Sequence, residues 1–203
     1  MEKQLRAINV TPYIVYSSVG AAHRGMGQKH FESKWKIEQH VQKLGLPYTI
    51  VRPVAFMENY NWSRAQISNG LFPSWGLRPE KTLQLVAVED IGAFVAIVFR
   101  KPEEFVGKTI EFAGDELTEP QMAKTLGKVI GRPVSVQQPR LPEGQEPTTE
   151  QIAMLKFFNG EGYDADIAGL RKVYPGLRTF ESYLNENGWK NLPPIPLPNE
   201  VQG

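Results

Sequence analysis

The chain has 203 residues, 41% of them hydrophobic and 22% charged, with a formal net charge of +1. That length holds one full domain or a domain with a small appendage, and the composition is ordinary for a soluble globular protein. Near-neutral charge gives no electrostatic footing for nucleic acid or an acidic membrane surface, and the absence of cysteine excludes disulfides, thiolate metal sites and cysteine nucleophiles.

In chain order, residues 2–9 read as a short helix and 13–18 (YIVYSS) as a buried strand whose carboxyl end carries two hydroxyls. A glycine-bearing loop covers 19–29. Residues 30–44 form a helix with Phe31, Ile37, Val41 and Leu44 on one flank, stopped by Gly45. Residues 46–54 are the next strand, with Pro53 near its end. The segment 57–66 reads as helical, and 67–81, rich in glycine, proline and aromatics, as a surface loop or lid. Residues 83–88 follow as a strand, 89–100 as a helix closed by Pro102, and 108–113 as a strand. Thr118 caps a helix over 119–130, with Pro120 in its first turn, and 134–137 is a short strand.

Residues 138–147 carry three prolines without apolar periodicity and read as a linker. Helical segments at 148–160, 165–173 and 178–187 make a small C-terminal region to residue 192. Residues 193–203 are a proline-rich tail. Strands alternating with helices predict an α/β fold. The longest apolar run, 93–99, falls far short of the roughly 20 residues that span a bilayer, and residues 1–10 lack a secretory apolar region. The expectation is a cytoplasmic protein with no membrane and no nucleic-acid partner.

In open α/β sheets, ligands sit outside the carboxyl ends of the strands. Three kinds of group converge there: the hydroxyls of Ser17 and Ser18, the Arg52 guanidinium, and His30 with Lys34, which share one helix face at a spacing of four. The residues alone leave alternatives open. Ser17 and Ser18 also suit a strand closing into a turn. Lys34 also suits a solvated helix face, with Lys34–Glu38 and Glu32–Lys36 pairs, and Arg52 could pair with Glu58 or Glu89. The loop glycines at 20, 25 and 27 match no phosphate-loop spacing, which favours a flexible rim, although His23, Arg24 and Lys29 could contact an anion. Asp90, at the acidic start of the helix at 89, reads as structural. Histidines 23, 30 and 40 form no metal set, and no Gly-x-Ser-x-Gly elbow is present.

The stretches VYSSVG, HFESKWKIEQHV and GLPYTIVRPVAFMEN, together, resemble the middle of the NmrA-like family of atypical short-chain dehydrogenases/reductases, over about residues 1–140. The resemblance implies the C-terminal part of a Rossmann-type parallel sheet with flanking helices, a partial domain over 1–137, plus a small C-terminal α/β substrate-side region. It implies NADP or NAD as ligand, with Ser17, Ser18, Lys34, Arg52, Pro53, Phe56 and Asn59 on the nicotinamide side. For catalysis it implies Lys34 on the ribose, Ser17 polarising a carbonyl and His30 giving the proton. His30 stands where related dehydrogenases carry tyrosine. Phe56 would cover the nicotinamide ring and Asn59 bond its amide; Phe56 as plain core is the alternative.

In the family this block follows a strand–Gly-rich loop–helix unit that holds the pyrophosphate. Here Met1 opens directly into what resembles the helix just before the VYSS strand, so cofactor binding by this chain alone is expected to be weak or absent. The strand at 13–18 would then be an unpaired apolar edge, open to self-association or a partner. Three functions follow: a reductase or redox-sensing regulator with a carbonyl or quinone-like substrate, a non-catalytic interaction module, or a truncated product.

Overall fold

The computed structural model describes residues 12–25, 27–139 and 145–197. The helix expected at 2–9 lies outside them, as do parts of the linker and the tail.

Three parallel strands form the first sheet: β1 (Ile14–Ser17), β2 (Tyr48–Pro53) and, at the far side, the strand Thr109–Phe112. Helix α1 (Lys29–Lys43) makes the crossover from β1 to β2, as parallel pairing requires. Gly45, at φ +67°, turns the chain past the end of α1 at no Cβ penalty. The buried positions of α1 are Phe31, Glu38 and Val41, while Ile37 is 43% exposed. The apolar flank predicted through Ile37 is therefore rotated, and a carboxylate occupies the buried stripe.

Beyond β2 the chain leaves this sheet at Val54, whose N–H still bonds the Phe112 carbonyl. It continues as β3 (Ala55–Phe56) into a second sheet. A 3₁₀ segment, Met57–Ser63, and α2 (Arg64–Ser68) lead to β4 (Leu71–Pro73). Residues 67–81 are therefore anchored rather than a free lid: Phe72 and Leu77 are buried, and the Ser74 hydroxyl and Trp75 N–H both donate to the Glu119 carboxylate at 2.6 Å.

Next come β5 (Thr82–Val86), α3 (Val88–Arg100), α4 (Pro102–Phe105) and β6 (Thr109–Phe112). Pro102 opens α4 as well as following α3, because its missing N–H is harmless in a first turn. β7 (Asp115–Thr118) pairs antiparallel with β5, which also pairs in parallel with β3. Thus β6 runs on into β7 as β2 does into β3, and both ladders pass between sheets. Gly114 makes the second passage possible, since a Cβ there would lie 2.5 Å from the Arg178 carbonyl oxygen.

Helix α5 (Glu119–Ile130) begins as predicted, with a reciprocal Thr118–Gln121 capping box, and ends at Gly131, φ +78°. β8 (Ser135–Gln137) pairs in parallel with β4. Helices α6 (Thr149–Asn159), α7 (Ile167–Val173) and α8 (Phe180–Glu186) complete the order. Phe157, Phe158, Phe180, Tyr183, Leu184 and Trp189 share one core with Tyr60, Phe72, Met122 and Leu126. Full burial of such side chains contributes about 1.5–3 kcal/mol each. A second core, around Val51, Phe94, Val98, Phe112 and Leu177, lies against the first sheet.

This is a mixed α/β architecture, as the alternation of elements predicts. Among the described residues no helix is long and apolar enough to cross a membrane, and no group of side chains could hold a metal ion.

Candidate functional site at the carboxyl ends of β1 and β2

Side chains alternate across a strand, and this decides what the two serines can do. Tyr16 and Ser18 face α1; Ser17 turns to the opposite side and is exposed. The Ser18 hydroxyl is buried and donates to Glu38 Oε1 at 2.5 Å. The Lys34 ammonium lies over the Tyr16 ring, 5.6 Å from its centroid, a cation–π contact. Of the two strand-end serines expected near the nicotinamide, Ser18 is thus the one on the side of α1 that carries Lys34, and Ser17 lies on the other side of the strand. Burial, and then the Glu38 charge, raise the Tyr16 phenol pKa, and its buried oxygen has no hydrogen-bond partner among the described residues.

Glu38 organises this end of the sheet. Its fully buried carboxylate accepts from Arg52 Nε at 3.0 Å and from Arg52 NH2 at 2.7 Å, a forked ion pair. Arg52 thus pairs with neither Glu58 nor Glu89, and Glu38 makes its ion pair with Arg52 rather than with Lys34 among the described residues. The Arg52 guanidinium also lies 5.8 Å from the Trp35 ring centroid and donates from NH1 to His23 Nδ1 at 2.7 Å. Because arginine has only donors, His23 Nδ1 must be the acceptor and the imidazole neutral, with its proton on Nε2. Burial, followed by the Arg52 charge, lowers the His23 pKa.

Residues 20–24 of the loop after β1 are pinned by hydrogen bonds. Gly20 N–H bonds the Pro53 carbonyl at 2.7 Å, Ala21 N–H bonds Glu111 Oε1 at 2.9 Å, and Arg24 NH1 bonds the Gly162 carbonyl at 2.6 Å. Gly20 is required because a Cβ there would stand 2.7 Å from the Tyr163 ring. Ala21 adopts φ +57°, a left-handed conformation uncommon for alanine, which these bonds hold in place. Where a phosphate loop would present N–H groups to a ligand, Ala21 presents its own to an internal carboxylate. His23 and Arg24 are committed to Arg52 and to Gly162.

His30 is exposed in the first turn of α1, edge-on to the Phe31 ring. Pro53 is buried at the end of β2. Phe56 is 38% exposed at the end of β3 and so is not core, while Asn59 is partly buried in the following 3₁₀ segment. Phe56 pairs in register with Val86, close to the exposed Val88.

Asp90 is fully buried and is not a helix cap. It accepts from Tyr174 OH at 3.1 Å, Arg178 N–H at 2.9 Å and Arg178 NH1 at 2.5 Å, tying α3 to the chain before α8. Glu38, the residue most central to the cluster, escaped the sequence reading. Its signal was position: it stands seven residues after Phe31 and three before Val41, on the buried stripe.

The model of the NmrA-like family matches residues 7–184 of this chain. An NmrA-like family domain-containing protein of Dictyostelium discoideum is 26% identical over 173 residues, covering 78% of this chain and 57% of that protein. Among solved structures, NmrA, a negative transcriptional regulator crystallised with NADP, superposes with a TM-score of 0.70 at 19% identity, over 92% of this chain and 67% of that one. An NADPH-dependent quinone oxidoreductase of Escherichia coli gives a TM-score of 0.69 at 24% identity, over 91% and 70%. The triphenylmethane reductase of a Citrobacter species, complexed with NADP(H), gives 0.70 at 18%, over 91% and 68%. The chain thus spans little more than half of the curated relative and about two thirds of these structures. With the family model spanning most of its length and the fold in agreement, the chain belongs to the NmrA-like family.

Proposed function

We propose that this chain carries the nicotinamide-facing part of an NAD(P) site and acts as a redox-responsive binding protein rather than a catalyst. The observation that carries this reading is the Glu38 carboxylate, which holds both Ser18 and Arg52. Ketone reduction needs a proton donor and a polarising hydroxyl directed at one substrate atom. Here Ser18 is spent on Glu38, Ser17 faces away from α1, and His30 stands exposed one turn before Lys34. What remains suits binding: Lys34 for a ribose, the exposed Phe56 for a nicotinamide face, Asn59 for its amide. Binding of NADP or NAD by these 203 residues alone is weak, because the contacts in hand reach one end of a dinucleotide.

A reductase acting on a small carbonyl or quinone-like substrate is the second reading, supported by the reductases among the structural neighbours and by the exposure of Ser17 and His30. The β1 edge supports self-association as well. β1 bonds a strand on one side only among the described residues, and Ile37 and Phe99, 43% and 51% exposed, stand on elements packed beside it.

The test is a calorimetric titration with NADPH followed by a hydride-transfer assay with naphthoquinone as acceptor. Binding without turnover, weakened by Lys34→Ala, is the expected result. Turnover lost in Ser17→Ala and His30→Phe would replace the regulator by the reductase.

A further inference from the structure

The first sheet has two edges, and the one opposite β1 is β6. Lys108 and Phe112 turn their carbonyls toward β2, accepting from Ile50 N–H at 3.0 Å and Val54 N–H at 3.2 Å. Backbone groups alternate in direction along a strand, so Thr109 and Glu111 present theirs to the other side. No backbone group bonds them there among the described residues.

A groove of about 420 Å³ lies along that side, between β6 and α7. Its lining includes the apolar side chains of Phe94, Phe105 and Leu170, which are buried, and of Val173, which is 38% exposed.

The two ends of the groove differ in charge. Lys108, just before β6, holds its ammonium 5.9 Å from the Phe105 ring centroid. Toward the other end of β6, Asp164 N–H donates to Glu111 Oε2 at 3.3 Å, and Gln84 exchanges bonds of 2.9 and 3.1 Å with the Ala165 backbone. These bonds fix the exposed Asp164 and Asp166 beside the groove. Among the described residues none of Lys108, Asp164 and Asp166 makes an ion pair. Glu111 is already committed, to the N–H groups of Ala21 and Asp164.

We infer that this groove takes an extended segment of a partner protein, added antiparallel to β6 as a further strand. The segment carries a basic residue near its N-terminal end, apolar residues at alternate positions and an acidic residue near its C-terminal end. An unpaired strand edge is a template for another strand, and antiparallel pairing is the more stable mode. In that direction the segment's N-terminal end meets Asp164 and Asp166, and its C-terminal end meets Lys108. Alternate side chains share one face, which lets every second residue reach Phe105 and Leu170. The wall that α7 raises beside the edge suits one slender segment rather than the sheet of a second copy. This site does not depend on whether the chain binds a dinucleotide.

The experiment is fluorescence anisotropy with two labelled peptides, Arg-Thr-Val-Thr-Val-Thr-Glu and its charge-exchanged form Glu-Thr-Val-Thr-Val-Thr-Arg. Thr109→Pro removes an outward N–H and leaves the bonds to β2, and an edge strand tolerates proline. Asp166→Asn keeps the acceptor that caps α7 through Gly169 N–H and, with Asp164→Asn, discharges that end. The first peptide should bind with a Kd below about 1 mM, roughly fivefold more tightly than the second. Thr109→Pro should weaken it roughly tenfold, and the double Asn variant should bring the two peptides within roughly twofold. The first peptide N-methylated at alternate amides, which tests the ladder without altering the protein, should not bind. Absence of binding, full binding of the methylated peptide, or indifference to Thr109→Pro at unchanged melting temperature would overturn the strand addition. Equal affinity for the two peptides would overturn the charge-matched antiparallel assignment. A dimer that Thr109→Pro abolishes would give the edge to a second copy and overturn the partner segment.

Discussion

Removing the Glu38 carboxylate should be one of the most damaging single substitutions in the chain. Glu38 is fully buried, accepts three bonds from Arg52 and one from Ser18, and leaves Arg52 only His23 as another hydrogen-bonding neighbour among the described residues. Glu38→Met strands a guanidinium whose side chain is 9% exposed. Breaking a buried pair from one side costs about 3–5 kcal/mol, chiefly the penalty of the charge left behind. For a chain of this size each kcal/mol moves the melting temperature by roughly 2–4 °C, so a fall of roughly 6–20 °C is expected. Arg52→Met should cost a similar amount by leaving the Glu38 carboxylate buried without its partner. The double variant Glu38→Met/Arg52→Met should recover most of the loss, since well-packed apolar side chains replace buried pairs at little cost. Urea unfolding of all four proteins supplies the double-mutant cycle. Single losses below about 1 kcal/mol, or losses that simply add, would refute the reasoning that this pair is buried and coupled.

The neutral imidazole that Arg52 demands makes stability depend on pH. A folded His23 with a lowered pKa binds its proton less readily than the unfolded chain, whose value is near 6.5, so stability should fall as pH drops below that point and level off once both states are protonated; His23→Gln should flatten that part of the profile, and an unchanged slope would contradict it. Glu119 runs the other way. Burial raises its pKa against the lowering from Ser74 and Trp75, so its contribution weakens as pH rises through the folded value, and Glu119→Gln should be stabilising at pH 8 relative to pH 5 when both proteins are melted side by side. Two glycines make a further pair of tests. Gly114→Ala meets the Arg178 carbonyl oxygen and should cost about 1–3 kcal/mol, whereas Gly92→Ala, within α3 with nothing within 4 Å, should be neutral or stabilising by about 0.5–1 kcal/mol; equal chemical denaturation midpoints for the two would sink the packing argument.

Local signals carried much of the fold. Thr118, Pro120 and Gln121 encode the start of α5 in contiguous residues, and apolar runs bounded by turn residues marked β1, β2 and β5. What escaped depends on distant partners. β7 carries Asp115 and Glu116 within four residues and gives no strand signal of its own; it is a strand because β5 offers it an antiparallel edge. The passage of β2 into β3 at Val54 has no local cause, since Phe112 and Leu85, far along the chain, supply the two ladders. The 67–81 segment reads as loop from its Gly and Pro content, yet Glu119 holds it down. At the site, spacing placed His30 and Lys34 on one helix face and sent Arg52 toward the strand end. It missed that Arg52 has a private carboxylate, because the charge pattern of α1 offered Lys34 as the nearer partner for Glu38.

The central claim is that this chain engages the nicotinamide end of a dinucleotide, and the most direct measurement compares fragments by calorimetry. Reduced nicotinamide mononucleotide should bind nearly as well as NADPH, within about 1 kcal/mol or roughly fivefold, and Lys34→Ala should weaken both, while ADP-ribose should give a flat trace. Binding of ADP-ribose with none of the mononucleotide, or NADPH binding untouched by Lys34→Ala, would contradict the account.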